Sequence, residues 1–314
     1  MALSQRAQPE LGTKSVFEEG DIKWRQFNVD TSTTSSPPKP LLVFTPTVTG
    51  AYYVIMFCHG FCIRNSFYSK LLGHLASHGF IVVAPQLFGN GLPLSGPNEV
   101  EFAGKVVDWI AKELQPLLPE HVQAKLKNLV LVGHSKGGKT AFAVALGYAK
   151  TKLNFSALVG IDPVAGLSKC KICRTFPHIL TGVPESFNLN IPVAVIGTGL
   201  GPEKPNCCAP PCAPHGVNHD EFFNECKPPC VHFVAKDYGH MDMLDDETPG
   251  LVGTILSKCM CKNGTGPKDL MRRTVGGLIV AFLKGHFNAQ WKDLDAILAD
   301  PELAPAKLDL PVVK

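Results

Sequence analysis

Residues 129–138 read Leu-Val-Leu-Val-Gly-His-Ser-Lys-Gly-Gly. The first four form a continuous apolar run typical of a buried strand, and a segment with helical spacing begins at Ser135. Between them stands G-x-S-x-G, the pattern of a serine on a sharp turn from a strand into a helix. Because the serine is strained there, small residues are needed two positions away on either side, and Gly133 and Gly137 meet this need. The stretch therefore predicts a nucleophilic Ser135 raised above a buried sheet.

Apolar runs alternate with amphipathic segments along most of the chain. The predicted strands are 52–57, 80–84, 129–132, 157–161, 193–196 and 231–235, and the predicted helices are 68–78, 99–117, 135–149 and 273–287. Strands that are apolar throughout and separated by helices indicate an α/β protein with a mostly parallel sheet covered on both faces. No shift in composition divides the chain, so we expect one domain over residues 1–314, with residues 1–20 as a flexible N-terminal segment.

The composition excludes several classes of protein. Hydrophobic residues make up 45% and charged residues 18%, which favours a packed core over disorder. The net charge of +3 shows no basic stripe, so no nucleic-acid partner is expected. No apolar run reaches the ~18 residues that span a bilayer. The N-terminus lacks the apolar segment of a secretory signal, so we expect an intracellular location. The N-terminus does not distinguish between intracellular compartments.

Eleven cysteines in a chain without a recognisable secretory signal predict mostly reduced thiols. A zinc site could be built from Cys170-x-x-Cys173, or from His215 and His219 near Cys212. A structural zinc site usually repeats its C-x-x-C knuckle, and this sequence has only one, with irregular spacing elsewhere. Free thiols are therefore favoured over one or two disulfides, and no metal is expected.

The general base for a serine nucleophile is predicted to be His240. It stands in a glycine-opened loop after the last predicted strand, with Asp242 as a candidate helix N-cap, which fits the chain order serine, acid, histidine. Two carboxylates compete as the acid. Asp162 directly follows strand 157–161 and precedes a proline. Glu203 follows the next strand, 193–196, which is the usual position of the acid. Asp162 is favoured, because a carboxylate at a strand end can fix the tautomer of an imidazole.

Two backbone N–H groups are expected to form an oxyanion hole. One belongs to Lys136, directly after the nucleophile, and the other to Phe61 in the turn after strand 52–57. The glycine-rich segment 197–201 superficially suggests nucleotide binding. Prolines and cysteines follow it where a helix would be needed, so a dinucleotide site is excluded.

The loop at residues 86–99 carries apolar side chains without helical or strand periodicity. Leu87, Phe88, Leu92 and Leu94 stand there among glycines and prolines, where they are poor candidates for the core. Exposed apolar patches often mark binding sites. We expect this loop to form a rim or lid over an apolar substrate, although the side chains could instead tuck beneath it.

Longer stretches carry a family resemblance. They are ASHGFIVVAPQL (76–87), VGHSKGGKTAFA (132–143), IDPVAG (161–166), PVAVIGTGLG (192–201) and HFVAKDYGHMDMLDD (232–246). Over nearly its whole length the chain resembles plant chlorophyllase. The elbow of that family is usually G-H-S-R-G-G; Lys136 here replaces the arginine, keeping the charge and losing the planar fork.

The resemblance implies an α/β-hydrolase fold and an esterase that cleaves the phytyl ester of chlorophyll, leaving chlorophyllide and phytol. It also implies a triad of Ser135, Asp162 and His240 acting through an acyl-enzyme, with no cofactor, because the magnesium belongs to the substrate. With such a substrate, the lid loop is also expected to touch the thylakoid or another lipid surface. A catalytically silent binder of pigment or another ligand, and an esterase or lipase of other specificity, remain alternatives. The oligomeric state is open.

Overall fold

The computed structural model describes residues 15–32, 35–88, 98–207, 209–247 and 260–314. Within these ranges the chain forms one nine-stranded sheet. Its strands are β1 (Trp24–Val29), β2 (Leu41–Pro46), β3 (Gly50–Cys58), β4 (Phe80–Pro85), β5 (Val122–His134), β6 (Phe155–Ile161), β7 (Val193–Thr198), β8 (Cys230–Ala235) and β9 (Val312–Val313).

The strand order is β1-β2-β4-β3-β5-β6-β7-β8-β9. The six strands from β3 to β8 run parallel, while β1, β2 and β9 pair antiparallel with their neighbours. Parallel neighbours need crossover connections, and helices make most of these crossings. This architecture confirms the predicted α/β-hydrolase fold and brings the carboxyl ends of β5, β6 and β8 to one edge of the sheet.

Helices cover both faces of the sheet. They are α1 (Ser69–Ser77), α2 (Asn98–Glu113), α3 (Lys136–Ala145), α4 (His219–Glu225), α5 (Lys268–Asn288) and α6 (Lys292–Ala299). One core lies between the sheet and α1, α5 and α6; the other lies beneath α2, α3 and α4. Successive residues of β5 alternate between the two cores, as the period of a strand requires. No helix in the described ranges combines the length and apolar character needed to cross a membrane.

The predicted strands are all present, and among the boundaries that differ two have clear physical reasons. Strand β5 begins at Val122 rather than Leu129, because residues 122–125 pair with the first half of β3 on a partly exposed surface and carry no apolar run. Helix α3 ends at Ala145 rather than 149, because Gly147 turns left-handed with φ 85°. The patterns did not predict α4, α6 or β9, which are short.

The N-terminal prediction is wrong for the part that the structure describes. Val16 and Phe17 are buried in the core beneath α1 and α5. A ring N–H of His74 donates to the Val16 carbonyl oxygen at 2.9 Å, and a Cβ at Gly277 would collide with the Phe17 ring. Residues 15–20 therefore pack onto the domain instead of forming part of a flexible segment. Residues 1–14 lie outside the described ranges.

Candidate active site

Ser135 occupies the sharp turn between β5 and α3 with φ 57° and ψ −128°. The residues two positions before and after Ser135 must be glycine for steric reasons. A Cβ at Gly133 would collide with the carbonyl of Gly137, and a Cβ at Gly137 would collide with the carbonyls of Cys58 and His59. The spacing read from the sequence is therefore the spacing that the backbone requires. Strain of this kind is a feature of functional sites.

The side chains of Ser135, His240 and Asp162 form one hydrogen-bonded row. The Ser135 hydroxyl lies 2.8 Å from His240 Nε2, and His240 Nδ1 lies 2.6 Å from Asp162 Oδ2. All three side chains are buried. With the Nδ1 proton directed at the carboxylate, Nε2 is left as the acceptor that a serine nucleophile needs. Glu203, the competing acid, is exposed.

Asp162 is held as a carboxylate despite its burial. Burial alone would raise its pKa, but the hydrogen bond and charge of His240, the charge of His219 and the Thr198 hydroxyl together bring the pKa below its usual value. Thr198 donates to Oδ2 at 2.6 Å. The other oxygen, Oδ1, has no hydrogen-bond partner among the described residues. The Nε2 atom of His219 lies 4.0 Å from Oδ1.

The glycine-rich segment 197–201, at the carboxyl end of β7, makes room for Asp162. A Cβ at Gly197 would overlap the ring of His219, and a Cβ at Gly201 would lie 2.9 Å from Asp162 Oδ2. Thr198 stands between them and supplies the donor. The sequence excluded a nucleotide site here but did not reveal this role for the segment. The only available signal was a run of small residues at the carboxyl end of a predicted strand.

A second histidine supports the loop of His240, the predicted base. His134 Nε2–H donates to the His240 carbonyl oxygen at 2.9 Å, and Tyr68 O–H donates to His134 Nδ1 at 2.7 Å. The two imidazoles lie 4.6 Å apart. Burial, with the charge of His240 next in importance, lowers the pKa of His134 well below its usual value. His134 is therefore a neutral support for this loop.

Asp242 braces the same loop in a way that the sequence did not predict. Instead of capping a helix, its Oδ2 accepts hydrogen bonds from the N–H of Gly239 at 2.7 Å and of Gly264 at 2.6 Å. The first bond fixes Gly239, the residue before His240. The second bond ties Asp242 to Gly264, in the segment after residue 260. Burial raises the pKa of Asp242, against the effect of these two donors.

The two predicted oxyanion donors lie on either side of the elbow. Lys136 is the first residue of α3, and Phe61 lies in the turn after β3. Neither backbone N–H makes a hydrogen bond to a carbonyl in the part of the chain described. The Lys136 ammonium lies 3.3 Å from Glu99 and 4.8 Å from the centre of the Phe88 ring. The ammonium of Lys136 therefore interacts with Glu99 and Phe88 beside the site, while its backbone N–H is not used by any described carbonyl.

The loop predicted to bind substrate is only partly described. Leu87 and Phe88 are 4% and 6% exposed, so the expectation that they are poor core candidates is wrong. Leu87 N–H donates to His59 Nε2 at 2.9 Å, and burial lowers the pKa of His59 to about 4. The Phe88 ring meets the His59 ring edge-on at 5.1 Å. Leu92 and Leu94 lie outside the described residues.

The cysteine and metal predictions have mixed outcomes. A disulfide joins Cys212 to Cys261, so Cys212 offers no thiolate to a metal. Free thiols are described at Cys58, Cys62, Cys170, Cys173, Cys226 and Cys230. One group of metal-compatible side chains is described, His219, Asp220 and His232. Within it, His219 Nδ1 and His232 Nε2 share a hydrogen bond of 2.9 Å, so each already has a partner.

The comparisons with known proteins agree with this geometry. The family model described as Chlorophyllase matches residues 12–313. The chain belongs to the chlorophyllase family. It is 54% identical to Chlorophyllase-1 of Arabidopsis thaliana, over 95% of this chain and 92% of that protein. It is 47% identical to the chloroplastic Chlorophyllase-1 of Citrus sinensis, over 98% and 92%, and 46% identical to Chlorophyllase-2 of Arabidopsis thaliana, over 90% and 92%. The resemblance to chlorophyllases seen in the sequence is confirmed over nearly the whole chain.

Proposed function

We propose that the protein is a serine esterase that hydrolyses the phytyl ester of chlorophyll to chlorophyllide and phytol. The observation that carries the proposal is the buried row from Ser135 through His240 to Asp162, with distances of 2.8 and 2.6 Å. Its presence in a chain of the chlorophyllase family supplies the substrate class. A silent ligand-binding protein would have no need to keep a strained nucleophile and an aligned base.

The reaction follows from the positions of the polar atoms. His240 Nε2 takes the proton from Ser135 as the serine oxygen attacks the ester carbonyl, and Asp162 stabilises the imidazolium that forms. The N–H groups of Phe61 and Lys136 stabilise the negative oxygen of the tetrahedral intermediate. The imidazolium then protonates the departing phytol oxygen, leaving chlorophyllide as an acyl group on the serine. Water, activated by the same histidine, releases it.

The substrate brings its own magnesium, and the proposed reaction requires no further metal or cofactor. The loop at 86–99 is proposed to cover the ring or the phytyl tail, with Leu87 and Phe88 at its inner end and Leu92 and Leu94 further along. An intracellular location is proposed, and the chloroplastic description of Citrus relatives favours the chloroplast over the cytosol or an endomembrane surface.

A direct assay with two substrates tests the proposal. The purified protein is incubated with chlorophyll a and with a p-nitrophenyl ester, and chlorophyllide and p-nitrophenol are measured. We expect hydrolysis of both, and covalent labelling of Ser135 by a fluorophosphonate. Ser135→Ala should lower kcat by ~10⁴-fold or more, whereas Ser156→Ala, near the start of β6, should behave as wild type.

Other outcomes point to the alternatives. Labelling at a different serine, or an active Ser135→Ala variant, would refute the mechanism. Turnover of the small ester without turnover of chlorophyll would favour an esterase or lipase of other specificity. Binding of the pigment with no turnover of either ester would favour a silent binding protein.

A further inference from the structure

Residues 166–176, here called the basic hairpin, project from the sheet close to the catalytic acid. Strand β6 ends at Ile161, Asp162 follows, and the chain reaches Gly166 four residues later. Gly166 pairs antiparallel with Arg174, and Leu167 N–H donates to the Cys173 carbonyl at 2.9 Å. The hairpin is therefore an ordered projection on the same edge of the sheet as the triad.

Three large apolar side chains of the basic hairpin face solvent. Leu167 is 72% exposed, Ile172 94% and Phe176 63%. Single exposed apolar residues are ordinary on protein surfaces. Three exposed apolar side chains lie within ten residues of a hairpin whose backbone is held by hydrogen bonds. Such a concentration indicates a binding surface. The buried Lys139 of α3 helps to hold this backbone, because its ammonium donates to the Phe176 carbonyl at 2.7 Å.

The charged residues within this segment of the chain have one sign. Residues 163–184 contain no aspartate or glutamate, but they include Lys169, Lys171 and Arg174. The side chain of Lys169 is exposed, and its nearest acidic partner is Glu221, at 4.0 Å. The chain as a whole carries a net charge of only +3, so three cations without an acid in one short segment are a local feature.

We propose that the basic hairpin docks the protein onto the surface of an anionic lipid bilayer. Leu167, Ile172 and Phe176 would enter the boundary between headgroups and acyl chains, and the lysines would meet the anionic headgroups. The choice of a bilayer rests on the proposed function, because a phytyl ester partitions into lipid. Docking through this hairpin would hold the edge of the sheet that carries Asp162 close to the membrane.

A bilayer fits this surface better than a protein partner. A stable protein interface needs about 1,000 Å² of complementary surface with satisfied polar groups. The basic hairpin spans only eleven residues and offers exposed apolar side chains beside the exposed Lys169, which suit a fluid surface without a fixed shape. The lid loop at 86–99 was the segment predicted to touch lipid, and its described residues Leu87 and Phe88 are buried. In the segment after β6, by contrast, Leu167, Ile172 and Phe176 are exposed.

Flotation with pigment-free vesicles tests the proposal. One set of vesicles is phosphatidylcholine alone, and the other also contains phosphatidylglycerol. The wild type should bind the mixed vesicles more tightly, and raising the salt from ~0.01 M to ~1 M should remove this preference. Leu167→Ser/Ile172→Ser/Phe176→Ser should weaken binding by about tenfold or more. Lys169→Gln and Lys171→Gln should each weaken binding to the anionic vesicles by roughly fivefold.

A matched control uses exposed apolar residues elsewhere. Val313, in the edge strand β9, is 60% exposed, and Leu310, two residues before that strand, is 84% exposed. Leu310→Ser/Val313→Ser should bind vesicles as wild type does. All variants should hydrolyse a water-soluble p-nitrophenyl ester at the wild-type rate, which shows that they are folded.

Three results would overturn the docking proposal. They are a wild type that binds neither vesicle, a triple-serine variant that binds as well as wild type, and a hairpin-dependent dimer in sedimentation velocity, which would assign the patch to a second copy of the chain. The proposed function fails separately. Vesicle binding without chlorophyll hydrolysis would refute the activity alone, and hydrolysis of detergent-solubilised chlorophyll without vesicle binding would refute docking alone.

Discussion

The hydroxyl of Thr198 offers a sharp test of how the acid is held, through the substitution Thr198→Val. Valine has nearly the same shape, so the change removes one donor and leaves the packing in place. The hydroxyl lies 2.6 Å from Asp162 Oδ2, and both residues are fully buried. In the variant, Oδ2 keeps only the bond from His240. Because the Thr198 bond is one of the influences that lower the pKa of Asp162, that pKa should rise.

The size of the effect follows from when this bond is made. A hydrogen bond to a charged group contributes about 1.5–3 kcal/mol. Asp162 is a carboxylate before the reaction and during it, so Thr198 binds it in both states. The free energy of unfolding should therefore fall by about 1.5–3 kcal/mol, while kcat/KM falls by no more than about tenfold. The deficit should shrink only as the pH falls through the folded-state pKa of Asp162, which lies below the ordinary carboxyl value of 3.8 in wild type and should be higher in the variant.

Urea denaturation and hydrolysis of a p-nitrophenyl ester, both at neutral pH, measure the two quantities. Thr45→Val is the matched control, because Thr45 is also a fully buried strand threonine but donates to the neutral carbonyl of Pro46 at 3.1 Å. It should cost about 0.5–1.5 kcal/mol of stability and leave activity unchanged. Thr198→Ser should restore most of both properties. A valine variant equal to wild type in both assays, or a serine variant no better than valine, would refute the reasoning.

Three further predictions concern the acid, a buried histidine and the disulfide. Asp162→Asn should lower kcat by about 10⁴-fold, because an amide cannot hold the imidazole tautomer as a carboxylate does, while Glu203→Gln should stay within a few fold; the reverse pattern would place the acid after β7. Burial lowers the pKa of His59 from 6.5 to about 4, so its contribution to stability is complete above pH 6.5 and falls by up to ~1.4 kcal/mol per pH unit toward pH 4. In urea unfolding at several pH values His59→Gln should flatten this slope, and an unchanged slope would contradict the assignment. The Cys212–Cys261 disulfide closes a loop with a sequence separation of 49 residues, so its reduction should lower the free energy of unfolding by about 4 kcal/mol. The stability of the control Cys212→Ser/Cys261→Ser should not change with dithiothreitol. A wild type with the same insensitivity would argue against the bond.

Local patterns in the sequence predicted most of the sheet and the elbow. The run 129–132 became the buried end of β5, and Gly133 and Gly137 proved to be the positions where a Cβ would strike backbone. These features depend on neighbours within a few residues, so the spacing of apolar residues and glycines is enough to reveal them. The order of strands and loops also indicated His240 and Asp162, because parallel strands end at the same edge of the sheet.

Contacts between distant segments could not be predicted in this way. Nothing near Thr198 in the chain signals that its hydroxyl will meet Asp162, 36 residues away in sequence. The packing of Phe17 against Gly277, and the bond from Cys212 to Cys261, depend on where loops without periodicity settle. The burial of Leu87 and Phe88 is a further case, since an aperiodic apolar segment has the same pattern whether it faces the core or solvent.

The sequence by itself determined the class of fold and the family and predicted the nucleophile, because strand periodicity, the glycine-flanked elbow and the long matching stretches are all written in consecutive residues. Only the tertiary structure decided how the acid is seated, with Gly197 leaving space for His219 and Thr198 donating to Asp162. It also decided that Leu87 and Phe88 are buried, whereas Leu167, Ile172 and Phe176 are exposed. The physical reason is that hydrogen bonds and burial are made between surfaces brought together by folding, and the chain reveals those surfaces only after the sheet has been assembled.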